Sequence, residues 1–261
     1  MKKLLFALAL AALLVPVAGA QSIFEGTWKI DFSKIDFPNK PDEYLLQNGV
    51  YACKTCSDEI PIKADGTDQP SGGFPYADTI SVKVVNDREI EITGKKGGRI
   101  VGTTKMTVSP DGKTLTEDFW FSPQNGAAPV KGKSEMTRVA AGPPGSHAIS
   151  GSWRQKKMGF SENAAFFTYK IDNGALTMTN RMGQSFTAKL DGTEAPYKGD
   201  PGTTSVQIKL VDPNTLEETD LRDGKVLSVS RMTVDPGGKK AKITAEDKRQ
   251  NTTSSFEAIK Q

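Results

Sequence analysis

Apolar residues fall at every second position along much of the chain, the period of a strand with one buried face. Ile80, Val82 and Val84 alternate with Ser81 and Lys83, and Ile90 and Ile92 alternate with Glu89, Glu91 and Thr93. Turn-forming residues punctuate these runs: Asn86-Asp87, Lys96-Gly97-Gly98, Pro110-Asp111-Gly112, Asn173-Gly174, Asp212-Pro213-Asn214, Asp223-Gly224 and Pro236-Gly237-Gly238. Many short strands joined by tight turns predict an antiparallel meander, with about eight strands in each half of the chain. The one weak helical stretch lies at 41–46. A meander of this length closes into a barrel or folds as a sandwich, and closure removes the strand edges that invite aggregation. The expected fold is therefore all-β, with two antiparallel meander β-barrels in tandem.

The tandem arrangement comes from an internal repeat. Met106, Val108, Pro110 and Gly112 return as Met232, Val234, Pro236 and Gly238, each 126 positions later. Asp65-Gly66-Thr67 returns as Asp191-Gly192-Thr193 at the same offset, and Ile80, Val82 and Val84 align with Val206, Ile208 and Leu210. Each copy opens on a small residue and a tryptophan, Gly26-Thr27-Trp28 and Gly151-Ser152-Trp153, here 125 positions apart. A period of this size is that of a domain, not of a solenoid or propeller unit. The Gly- and Pro-rich segment 140–148 breaks any regular element and marks a linker. The expected domains are 22–140 and 149–261.

Ahead of the first copy, Lys2 and Lys3 precede an apolar run and then Ala18-Gly19-Ala20, the charged start, apolar middle and small-residue cleavage site of a secretory signal at 1–20. Export, to the periplasm or the medium, is expected. No cysteine stands directly after the cleavage site, and no later apolar run approaches the roughly 20 residues that a membrane helix needs. Loss of Lys2 and Lys3 takes the formal charge from +3 to +1. A chain so near neutrality gives no electrostatic case for a nucleic-acid or anionic-membrane partner.

The segment Phe24-Glu25-Gly26-Thr27-Trp28 resembles the opening strand of lipocalins and fatty-acid-binding proteins, in which Gly-x-Trp begins the first strand and the indole closes one end of the barrel. The resemblance implies an arginine from the last strand packed over that tryptophan, and Arg138 in Met136-Thr137-Arg138 is placed to supply it for Trp28. The corresponding end of the second copy, 255–259, carries no arginine. Over its whole length the chain resembles exported bacterial proteins with two lipocalin-like repeats. Trp28 and Trp153 are expected to serve packing.

Among groups that could carry chemistry, Cys53 and Cys56 are the chain's two cysteines. Their counterparts in the second copy fall in a hairpin, so a structural disulfide is expected and not a redox site, which needs a helix start to lower a thiol pKa. Two thiolates without further ligands make no metal site, and Ser57 after Cys56 excludes c-type haem, so neither metal nor cofactor is expected. The single histidine, His147, lies in the linker, a poor place for a catalytic imidazole. Glu89, Glu91, Glu217 and Glu218 are expected to face solvent for the most part, and no phosphate loop or catalytic motif is present. Of Glu117 and Asp118 one must point inward.

What remains is the barrel interior. On one face of 100–108 stand Ile100, Gly102, Thr104, Met106 and Val108, matched by Val226, Ser228, Ser230, Met232 and Val234 in the second copy; Leu227 and Val229 make a competing face. If the first face is the lumen, its small polar residues leave room for a small ligand, which Phe119, Phe121, Phe166, Phe167, Tyr169 and Phe186 could line. The leading expectation is a non-enzymatic carrier of a small apolar or amphipathic molecule. The alternatives are a structural or interaction protein of the cell envelope, and a hydrolase or isomerase built on a carboxylate such as Asp118.

Overall fold

The computed structural model describes residues 23–56, 61–123 and 125–261. The signal sequence expected at 1–20 lies outside them. Among the described residues, twenty strands make two antiparallel sheets of ten. In chain order they are β1 (Gly26–Asp36), β2 (Asp42–Gln47), β3 (Val50–Cys53), β4 (Ile62–Lys63), β5 (Gln69–Pro70), β6 (Thr79–Asn86), β7 (Glu89–Lys96), β8 (Arg99–Val108), β9 (Thr114–Phe121) and β10 (Val130–Ala141). The chain goes on through β11 (Gly151–Phe160), one 3₁₀ turn at Glu162–Ala164, β12 (Phe166–Asp172), β13 (Ala175–Asn180), β14 (Ser185–Lys189), β15 (Asp191–Lys198), β16 (Ser205–Asp212), β17 (Thr215–Arg222), β18 (Lys225–Val234), β19 (Lys240–Asp247) and β20 (Thr252–Lys260).

The all-β double barrel expected from the alternation is present, with ten strands to each sheet where about eight were expected. The expected helical stretch at 41–46 is instead β2, because Leu46 is wanted in the apolar interior and Tyr44 in the ladder beside Cys53. Tight turns form where the sequence signals them. Asn173 and Gly174 both have positive φ (47° and 77°), as do Asp223 and Gly224 (52° and 76°), the backbone of a two-residue hairpin turn. Among the described residues, no helix is long and apolar enough to cross a membrane.

Strand order differs from the order of the repeats. One sheet runs β4-β3-β2-β11-β10-β9-β8-β7-β6-β5, a continuous stretch of chain whose ends approach through a bridge between Asp65 and Lys83. The other is a closed barrel in which β1 is hydrogen-bonded to β12 on one side and β20 on the other. The opening strand of each sequence repeat therefore completes the barrel of the other repeat. β1 brings Trp28 into the second barrel, and β11 brings Trp153 into the first.

This exchange corrects the expected partner of Arg138. Its guanidinium lies 3.9 Å from the Trp153 ring, not over Trp28, because β11 and not β1 is the strand beside β10. Arg138 also donates to the carbonyls of Gly112 (2.5 Å), Ser150 (2.8 Å) and Ala148 (2.7 Å). In the second barrel Lys260 takes the same place, with Nζ 4.9 Å from the Trp28 ring and donating to the Ile23 carbonyl at 2.7 Å. Both indoles are fully buried, and each donates its N–H to a backbone carbonyl four residues earlier, Phe24 or Ile149, at 2.8 Å. A buried indole with its one polar atom satisfied is a packing group.

Candidate ligand site in the second barrel

The lumen of the closed barrel contains a cavity of about 180 Å³. Its walls are mostly apolar: Leu176 and Met178 from β13, Ile208 from β16, Leu216 from β17, Met232 from β18 and Ile243 from β19, with Phe167 and Tyr169 from β12 and Phe256 from β20. Its polar groups are Glu218, Ser230 and the Tyr169 hydroxyl. The candidate face 226–234 is thus the lumen in its second half, where Ser230, Met232 and Val234 point inward; Val226 at its start is exposed. Ile100 in the first copy is exposed likewise. The alternation breaks because bulges at Asp220/Leu221 and at Gly94/Lys95 shift the register by one residue.

Glu218 is one of four strand carboxylates expected to face solvent for the most part, but alternation along β17 puts Leu216, Glu218 and Asp220 on one face, and Glu218 borders the cavity. The Tyr169 hydroxyl and the Asp220 carboxyl are the polar groups nearest the Glu218 carboxyl. Ser228 donates to Asp220 Oδ2 at 2.8 Å, while Asp220 Oδ1 is enclosed without a hydrogen-bond partner. Burial first, and then the neighbouring Asp220 charge, push the Glu218 carboxyl up to about 8; burial raises Asp220 as well. Glu217, by contrast, points outward and pairs with Arg231 at 2.7 Å.

The expected aromatic residues divide by face and by barrel. Phe167 and Tyr169 line the cavity. Phe186 is buried in the same core and packs on Tyr197, with ring centroids 5.6 Å apart. Phe166 faces away from the lumen, with the Arg181 guanidinium 3.7 Å from its ring. Phe119 belongs to the first barrel, where it lies over Gly132 and meets Phe160 edge-on at 5.6 Å. A side chain at Gly132 would overlap that ring, so glycine is what allows Phe119 to lie against the backbone. Phe121 is 38% exposed.

The first barrel is filled differently at matching positions. Tyr51 stands where the second barrel has Leu176, and it stacks on Tyr44, the counterpart of Tyr169, at 6.3 Å. Ile92, Gly94 and Gly102 occupy the places of Glu218, Asp220 and Ser228. The first barrel's own enclosed acid comes from another strand: Glu117, the counterpart of Ile243, accepts from Tyr44 (3.4 Å) and Ser134 (2.9 Å). Burial raises its pKa.

Cys53 and Cys56 form a disulfide with Cα atoms 5.4 Å apart at the end of β3. His147 is tied into the linker, with Nε2 2.7 Å from the Asn86 carbonyl and Nδ1 accepting from the Ile149 amide at 3.2 Å. Asp118 is a surface group, its side chain 55% exposed and 3.3 Å from Lys133. Among the described residues, no group of three or more His, Cys, Asp or Glu side chains is placed to hold a metal ion. No protein-family model matches this chain, and no curated protein matches it.

Proposed function

We propose that this chain is an exported binding protein with two lipocalin-like barrels, which holds a small, largely apolar molecule in the lumen of the closed barrel. The observation that carries this reading is the 180 Å³ cavity, walled by apolar and aromatic side chains and given one polar end by Tyr169 and Glu218. Apolar walls with a few convergent polar groups are the usual make-up of a small-molecule site. An apolar cavity of about 150 Å³ accepts benzene, so this one suits a single ring or a short branched chain and is too small for a long-chain fatty acid. The intrachain disulfide is compatible with an oxidising compartment, as the expected leader at 1–20 requires. The exposure of Asp118 leaves a hydrolase or isomerase built on that residue without support.

Native mass spectrometry of the mature protein, purified gently from its own host, tests the proposal. One small molecule retained per chain is expected, or uptake of one molecule of a single-ring apolar compound by the apoprotein. Apoprotein that takes up no member of such a panel would overturn it and turn the search to protein partners.

A further inference from the structure

We propose that the cavity of the second barrel is an amine site: it takes a molecule with a compact apolar or aromatic body and one ammonium group, which the Glu218–Asp220 carboxyl pair receives. This rests on the carrier function proposed above and specifies its ligand.

Three observations support it. First, Glu218 stands at the polar end of an otherwise apolar cavity whose lining contains no Lys, Arg or His, with Asp220 behind it on the same strand face. Two neighbouring carboxyls taken out of water hold one proton between them, which leaves one negative charge at neutral pH, in keeping with the raised pKa of Glu218. A charge in such surroundings is costly until a counter-charge meets it. Second, Asp220 Oδ1 is enclosed and unpartnered, a free acceptor within the pair. Third, the corresponding positions of the first barrel are Ile92 and Gly94, in a barrel of the same architecture. The fold does not require the acid pair.

On the lumen side no cation competes for the pair. β16 and β18, on either side of β17, place Ile208 and Ser230 opposite Glu218. The titratable groups facing the pair are Tyr169 on β12, Tyr197 on β15 and Asp200 in the loop after β15, with Tyr76 of the first sheet donating to Asp200 at 2.8 Å. Asp220 and Ser228 also line a second pocket, of about 150 Å³, together with Arg222 and Arg249, and Arg249 pairs with Asp247 at 2.6 Å. The rings of Phe167, Tyr169 and Phe256 add faces that attract a cation.

Binding is balanced without loss of a proton. When the ammonium enters, the shared proton moves from Glu218 to Asp220, and Glu218 becomes the carboxylate that accepts the ammonium N–H. The site then carries one positive and one negative charge.

Isothermal titration of the mature protein with benzylamine, benzyl alcohol and benzoate, at neutral pH in two buffers of different ionisation enthalpy, tests this. Benzylamine is expected to bind at least about tenfold more tightly than benzyl alcohol, with benzoate weakest, as a charge-assisted contact requires. Its heat should be the same in both buffers. Glu218→Gln should abolish the amine preference and keep benzyl alcohol binding. Asp220→Asn removes the internal proton acceptor, so benzylamine should then bind with release of about one proton to the buffer. Equal binding of amine and alcohol, a preference for benzoate, or an amine preference that survives Glu218→Gln would overturn the amine site and leave the carrier function standing. Failure of all three probes to bind would overturn both.

Discussion

At the scale of single residues, Glu218 links the lumen to pH. Its carboxyl is held neutral in the folded chain up to about 8, against an ordinary value of 4.5, so the folded state holds the proton that the unfolded chain gives up. The resulting stabilisation is complete below 4.5, declines as pH rises above it, and is lost once pH passes about 8. Between those limits the melting temperature of the wild type should therefore fall more steeply with pH than that of Glu218→Gln. Calorimetry should find the difference between the two proteins changing by at least about 3 °C, the size of a 1 kcal/mol effect in a chain of this length. The cations over the two tryptophans make a second comparison. Arg138→Ala strands three carbonyls and uncovers Trp153, and should cost about 2–3 kcal/mol in denaturant titration. Lys260→Ala releases one carbonyl and should cost about 1 kcal/mol. The position of Glu218 was legible in principle: set against the first copy it replaces Ile92, an inward apolar residue, and a carboxylate at a lumen position is a signal of chemistry. Alternation read within 215–222 alone hides it, because Glu217 and Glu218 are adjacent and only the sheet says which one faces in.

At the scale of elements, the decisive strand is β1. Trp28→Ala should cost about 3–5 kcal/mol, as large-to-small changes of buried aromatics do. Its effect should fall on the second barrel, although Trp28 belongs to the first sequence repeat. Hydrogen exchange should show faster opening of β12–β20 with β6–β10 unchanged, and loss of protection in β6–β10 would contradict the strand exchange. Removing the disulfide by Cys53→Ala with Cys56→Ala should cost no more than about 2 kcal/mol, the chain-entropy limit for so short a loop, as read in denaturant titration. The meander itself was legible, since period-two alternation and the Asn-Gly and Asp-Gly turns are local signals. The exchange of opening strands was not, because β1 and β11 carry the same Gly-x-Trp pattern and each satisfies the core of either barrel. Residues 41–46 misled for a similar reason: a short apolar run has no period of its own, and pairing with β3 and β11 decides it.

At the scale of the molecule, duplication has produced two barrels with the same frame and different interiors. The first fills its lumen with Tyr51 stacked on Tyr44; the second keeps Leu176 there and places Glu218 at the end of the space this leaves. Side-chain contacts join the two barrels, Tyr76 to Asp200 at 2.8 Å and Asn125 to the Met182 carbonyl at 2.7 Å. The chain also crosses between them twice, after β1 and after β11. The methionines distinguish the two interiors. Met178 and Met232 line the cavity, while Met106 and Met136 lie in the core of the first barrel. The most direct measurement is a titration of the mature protein, ¹³C-labelled at its methionine methyls, with benzylamine followed by NMR. Saturable shifts of the Met178 and Met232 methyls, with those of Met106 and Met136 still, are predicted. Shifts confined to the first barrel, or none at any methyl, would contradict a ligand site in the second.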